Sequence, residues 1–187
     1  MEIDKDSFSS GQIGSKIWLA ESLEKIIKEE GNPSLKILCL GGWYGLINFI
    51  LRSRNNLNID VFRSIDIDES VEEVADIINN LWVWKEWQFK ALTADANSFQ
   101  YSANDFNIVI NTSVEHMESL QWFDNIPKGC YVVLQSNNME HEDHFHNHQT
   151  LTEMIDEFPL DQVLFANELE FKYPSWGFKR FMIIGKK

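Results

Sequence analysis

The sequence predicts an α/β fold: a doubly wound, mostly parallel seven-stranded sheet, helices on both faces, and an antiparallel carboxyl-terminal strand. Three observations predict it. Short apolar runs alternate along the chain with segments whose apolar residues recur at helical spacing. The runs are apolar on consecutive residues, as in strands covered on both faces. The last two runs are joined by a tight Pro/Gly turn, which makes them a hairpin. Alternating strands and helices give parallel pairs through right-handed crossovers, and the hairpin must then contribute the antiparallel strand.

Taken in order, the first element is a helix from about Gln12 to Glu30. Ile13, Ile17, Leu19, Ala20, Leu23, Ile26 and Ile27 follow its period, and Gly31-Asn32-Pro33 stops it. Leu35 to Leu40 is the first strand. Gly41-Gly42-Trp43-Tyr44-Gly45 turns the chain into a helix carrying Leu46, Ile47, Phe49, Ile50 and Leu51. Ile59 to Ile65 is the second strand, ending at Asp66. Asp68 is placed to cap the next helix, with Glu69, Glu72 and Glu73 in its first turn. That helix points Val71, Val74, Ala75, Ile77, Ile78 and Leu81 inward, and the aromatic cluster Trp82 to Trp87 reads as packing at its end. Gln88 to Leu92 and Phe106 to Ile110 are strands three and four. A helix from about Ser113 to Phe123 leads to the fifth strand, Gly129 to Gln135. The polar stretch Ser136 to His148 precedes a helix over Thr150 to Phe158. Val163 to Phe171 and Phe178 to Gly185 close the chain around Tyr173-Pro174-Ser175-Trp176-Gly177.

With 187 residues, the chain suits one domain: a helical cap over 1–33 and an α/β core over 34–187. Sixteen Lys and Arg face 29 Asp and Glu, a formal net charge of -13, which argues against nucleic acid and anionic membrane surfaces as partners. Two cysteines, Cys39 and Cys130, both sit in apolar runs and read as reduced, buried thiols. The polar amino terminus is unlike a signal peptide, and no apolar stretch reaches the roughly 20 residues of a membrane span. A soluble, cytoplasmic protein is expected; the oligomeric state is left open.

Open parallel sheets bind ligands beyond the carboxyl ends of their strands. That directs attention to Gly41 to Gly45, Asp66 to Asp68, Asp95 to Asn97, Asn111 to Ser113 and Ser136 to Asn138. The glycine turn lets backbone approach a ligand at a helix start. Asp66 then stands where a carboxylate accepts hydrogen bonds from two ribose hydroxyls. The pair indicates a nucleoside-containing cofactor. Trp43 occupies the place where a dinucleotide fingerprint needs a second Gly, and the Lys-Ser/Thr end of a phosphate loop is missing. A ligand with ribose but no phosphate fits better, and S-adenosylmethionine has that form. A cofactor-binding interaction domain without turnover and a nicotinamide-dependent oxidoreductase are the alternatives.

The segment ILCLGGWYG resembles the first motif of class I S-adenosylmethionine-dependent methyltransferases, a hydrophobic strand followed by D/E-x-G-x-G-x-G. SIDIDESVEEVA, LTADANSF and FNIVINTSVEHM resemble their second, third and fourth motifs, and RFMIIGKK their antiparallel closing strand; together they cover residues 35 to 187. The resemblance implies a Rossmann-like methyltransferase fold, S-adenosylmethionine as cofactor, and a small-molecule or peptide methyl acceptor. It further implies that Gly41, Gly42 and Gly45 line the methionine moiety, with Trp43 and Tyr44 beside the ligand. Asp66 would hold the ribose, Ile67 would pack on adenine, Asp95 and Ala96 would meet the adenine edge, and Asn111 would lie under the cofactor. The sequence departs from the motif at Cys39, where the family carries an acidic residue, and at Trp43, which replaces its middle Gly. Gln12, Ser15 and Lys16 are candidates to hold the cofactor's amino-acid end instead, Lys16 by pairing with its carboxylate.

His116 is the first candidate for a general base and His141 the second. No metal is expected, although His144, His146 and His148 alternate, so an extended segment would point all three imidazoles one way.

Overall fold

The computed structural model describes residues 3–187; Met1 and Glu2, at the head of the polar amino-terminal stretch, lie outside the described residues. The chain divides into two compact units, residues 1–96 and 97–187.

In the first unit a single 3-10 turn, Lys5–Phe8, precedes helix α1, Ser10–Glu29. The Ser9 hydroxyl accepts from the Gln12 N–H and fixes where α1 begins, two residues before the apolar period shows. Leu19, Ala20, Leu23 and Ile27 form its buried stripe. Gly31 and Asn32, both at positive φ, turn the chain out of the helix. Strand β1, Leu35–Leu40, is buried at every residue except Lys36, as a strand covered on both faces should be. Helix α2, Leu46–Arg54, leads to β2, Ile59–Asp66. Helices α3, Glu72–Ile78, and α4, Asn80–Val83, then lead to β3, Phe89–Thr93. β1 pairs with β2 and β2 with β3, all parallel.

In the second unit β4, Ile108–Asn111, runs parallel to β5, Tyr131–Asn137. Helix α5, Gln121–Asp124, lies before β5 in the chain, and helix α6, Leu151–Glu157, follows it with Thr150 as its cap. Strands β6, Gln162–Lys172, and β7, Gly177–Lys186, form the antiparallel hairpin, and β7 is antiparallel to β5. Trp122, Phe123 and Phe158 pack ring on ring in the core of this unit. The strand order is β3-β2-β1-β4-β5-β7-β6, seven strands in one mostly parallel sheet. Both cysteines are free and buried. Among the described residues no helix is long and apolar enough to cross a membrane.

Three expectations fail. The helix over 113–123 is instead a 3-10 turn, Val114–His116, and the four-residue α5. The helix carrying Val71 to Leu81 breaks at Asn79, whose amide turns inward to donate to the Gly45 and Ala75 carbonyls. Beyond that break Leu81 is exposed, as is Ile77 one turn earlier; in the Trp82–Trp87 cluster Trp82 packs edge-on against Phe49, but Trp84 and Trp87 are 83% and 61% exposed. The three alternating histidines do not share a face, because His144 follows a turn in which its N–H donates to the His141 carbonyl. His146 and His148 both reach Glu157, at 2.9 Å and 2.6 Å, whereas His144 does not.

Candidate functional site

In the first unit the glycine turn and the end of β2 are fastened together. Gly41, Trp43 and Gly45 all have positive φ, 57°, 46° and 66°, so the turn is left-handed at three of five residues. Glycine takes that conformation without strain, but Trp43 does so at a cost of roughly 1–2 kcal/mol and must be held. What holds it is Asp66. The Trp43 N–H donates to Asp66 Oδ2 at 2.9 Å, and the Asp68 N–H donates to Oδ1 at 3.1 Å. The Trp43 ring stacks on Tyr44 and packs against the buried cluster of Tyr44, Val71 and Val74. The Tyr44 hydroxyl accepts from the Asp4 N–H at 3.1 Å. Tyr44 is buried by these contacts, whereas Trp43 stays partly exposed.

The glycines also have local reasons. A Cβ on Gly42 would lie 1.8 Å from Ser64 Oγ, and one on Gly45 would lie 2.7 Å from Asn79 Nδ2 and 2.9 Å from Phe89 Cζ. Asn79 ties that spot into a buried chain, accepting from Asn48 Nδ2 at 2.8 Å. Ile67 is 76% exposed beside Asp66. Asp95 is exposed and Ala96 is buried just past β3, whose end is fixed by the Ala94 N–H donating to the Asp66 carbonyl.

Lys16 is buried on α1, its ammonium donating to Gln12 Oε1 at 2.7 Å. Burial pushes the Cys39 thiol up to about 12; the positive charge of Lys16 opposes the rise and the carboxylate of Asp66 adds to it. Lys16 and Asp66 thus both act electrostatically on the end of β1. Cys39 is a neutral thiol where the motif's acid would stand.

In the second unit Asn111 ends β4, wholly buried, its Oδ1 accepting from the Ser113 N–H at 2.9 Å. Among the described residues its Nδ2 has no partner, a buried donor left unsatisfied at a cost of roughly 1–3 kcal/mol. Beside it Glu115 is buried and accepts from Arg180 Nη1 at 3.1 Å and from Asn137 Nδ2. Sequence reasoning missed this pair; the only signal was a Glu next to the candidate base. His116 is exposed, with Nδ1 donating to the Asp143 carbonyl at 3.2 Å, a role assigned from its partner since a carbonyl only accepts. Its Nε2 keeps the lone pair a base requires. His141 is more than half exposed and lies 3.5 Å from the Asp143 carboxylate.

No protein-family model matches the chain, and no curated protein does. Solved structures do. The N-methyltransferase NodS from Bradyrhizobium japonicum superposes with a TM-score of 0.65 at 14% identity, over 99% of this chain and 100% of that one. Magnesium protoporphyrin IX methyltransferase (ChlM) from Synechocystis, solved with bound SAM, gives 0.63 at 10% identity, over 92% and 80%. A putative sarcosine dimethylglycine methyltransferase from Galdieria sulphuraria gives 0.63 at 13% identity, over 94% and 86%. The fold of this chain is that of class I S-adenosylmethionine-dependent methyltransferases.

Proposed function

We propose that the chain is an S-adenosylmethionine-dependent methyltransferase acting on a small-molecule acceptor, with residues 1–187 as one catalytic domain. One observation carries the reading: the lone-pair count at Asp66. A carboxylate offers about four acceptor directions. Trp43 and Asp68 take one on each oxygen, which leaves one on each oxygen for a ribose diol. The same two hydrogen bonds set the shape of the turn before a ligand arrives.

The other assignments follow from chemistry. Gly41, Gly42 and Gly45 bring backbone close to the methionine part of the cofactor. Lys16 meets its carboxylate. Ile67, Asp95 and Ala96 border the adenine, and the orphaned amide of Asn111 donates to the cofactor.

In the transfer, the acceptor's lone pair attacks the methyl carbon, the carbon–sulfur bond breaks, and the sulfur keeps the electron pair. The protein's contribution is alignment and exclusion of water. Where the acceptor must shed a proton, the bare Nε2 of His116 receives it, with His141 as the weaker alternative. The net charge of -13 favours a small or cationic acceptor over nucleic acid, and two free buried thiols suit a reducing cytoplasm.

Calorimetry with S-adenosylhomocysteine tests the reading. Binding is expected, with a loss of about a hundredfold or more in Asp66→Ala, since two charged hydrogen bonds are removed. Lys16→Met should weaken it about tenfold. Absence of heat at hundreds of micromolar ligand would overturn the assignment.

A further inference from the structure

We propose that Glu115, His116 and His144 form a binding site for a divalent transition-metal ion. One ligand atom from each lies within 4.8 Å of the others. A tetrahedral ion with ligands at about 2.1 Å wants its donors roughly 3.4 Å apart, so closure asks for swings of about an ångström. His116 is exposed and His144 half-buried, so neither ring is locked by core packing.

Each donor is uncommitted for a structural reason. His144 Nδ1 donates to the Met139 carbonyl at 2.8 Å and His116 Nδ1 to the Asp143 carbonyl at 3.2 Å. Because a carbonyl can only accept, both rings carry their proton on Nδ1 and keep a bare lone pair on Nε2. This backbone tethering is how metal-binding imidazoles are oriented. Their ring centroids are 4.8 Å apart, edge to face.

The carboxylate completes the set. Glu115 is 3% exposed, and Oε1 alone takes both Arg180 and Asn137. Among the described residues Oε2 is buried with no donor. An unsatisfied buried carboxylate oxygen costs stability unless a cation or donor meets it. The backbone holds the two halves of the site in place, since the Phe145 N–H, next to His144, donates to the Glu115 carbonyl at 2.8 Å.

Two nitrogens and one oxygen favour zinc, cobalt or iron(II) over magnesium or calcium, whose preference is for oxygen. Arg180 already offsets the carboxylate charge, which further disfavours a hard ion held by charge alone. Three protein ligands would leave a position open. An ion there would polarise an acceptor hydroxyl directly, in place of proton removal by His116. The site stands apart from the methyltransferase reading, because its binding is measured without S-adenosylmethionine.

The test is titration of the untagged, chelator-treated chain with Co²⁺ and Zn²⁺, followed by visible absorption and calorimetry. One equivalent of Co²⁺ should give a visible d–d band that Zn²⁺ abolishes. His116→Ala and His144→Ala should each weaken affinity at least about tenfold, and the double variant should bind no metal at this site. His146→Ala should bind as the parent does, because His146 is held by Glu157. Glu115→Gln adds to the test only where circular dichroism shows it folded; the two histidine variants decide otherwise. No binding with either ion in excess overturns the proposal. So does binding that survives the double variant, or that is lost in His146→Ala.

Discussion

The turn at residues 41–45 and the turn at residues 113–116 both follow a buried parallel strand, yet their polar groups are arranged in opposite ways. In the first, backbone N–H groups already meet the Asp66 carboxylate, and neutral amides from Asn79 and Asn48 hold the base of the loop. In the second, one fully buried ion pair, Glu115 with Arg180, does the holding, while Asn111 Nδ2 and Glu115 Oε2 are left over. A site closed on its own backbone is rigid and shaped in advance. A site anchored by a buried charge pair is more sensitive to the loss of either partner.

The largest effect expected is therefore in the second turn. Arg180→Met strands the Glu115 carboxylate in the interior and should cost about 3–5 kcal/mol in urea unfolding. A loss below about 1 kcal/mol would show that the pair holds nothing and that the contrast fails. Gly45→Ala probes the first turn. A Cβ there combines the left-handed penalty with overlap on Asn79 and Phe89, for about 2–5 kcal/mol. A near-neutral result would mean that the glycine serves the ligand rather than the fold, sharpening the comparison the other way.

The smallest effect marks the periphery. Arg54, at 2.6 Å, holds the Glu24 carboxyl below its ordinary value, against the opposing effect of partial burial, with Asn56 adding to the lowering. A depressed folded-state value means stabilisation that is present above the unfolded value, near 4.5, and lost as pH falls through the folded one. Glu24→Gln should thus be less stable by about 0.5–1 kcal/mol at neutral pH, and the difference should shrink to nothing in acid. A gap that persists at low pH would assign the pair's effect to packing instead of charge.

Much of this was legible in the sequence. Continuous apolar runs such as Leu35 to Leu40 admit few structures, and Asp68 does cap the turn after β2, accepting from the Ser70 N–H at 2.9 Å. The positions of Asp66 and the glycine turn followed from strand ends alone. What escaped was set by distant partners. Asn79 interrupts a good helical period because Gly45 and Asn48 claim its amide, and nothing near Asn79 in the chain announces that. The segment 113–123 looks helical by period, yet the Trp122 N–H donates to Asn97 Oδ1 and Glu115 is drawn to Arg180, 65 residues away. The period-two reading of the histidines assumed an extended chain and was right only for the two that share Glu157.

On the proposed function, the Asp66 contacts also bear on how tightly a nucleoside can be captured. When only a fraction of molecules is competent to bind, apparent affinity falls by that fraction. Here Trp43 already holds its left-handed conformation with the carboxylate engaged, so on the proposed function this turn needs no rearrangement before a nucleoside binds.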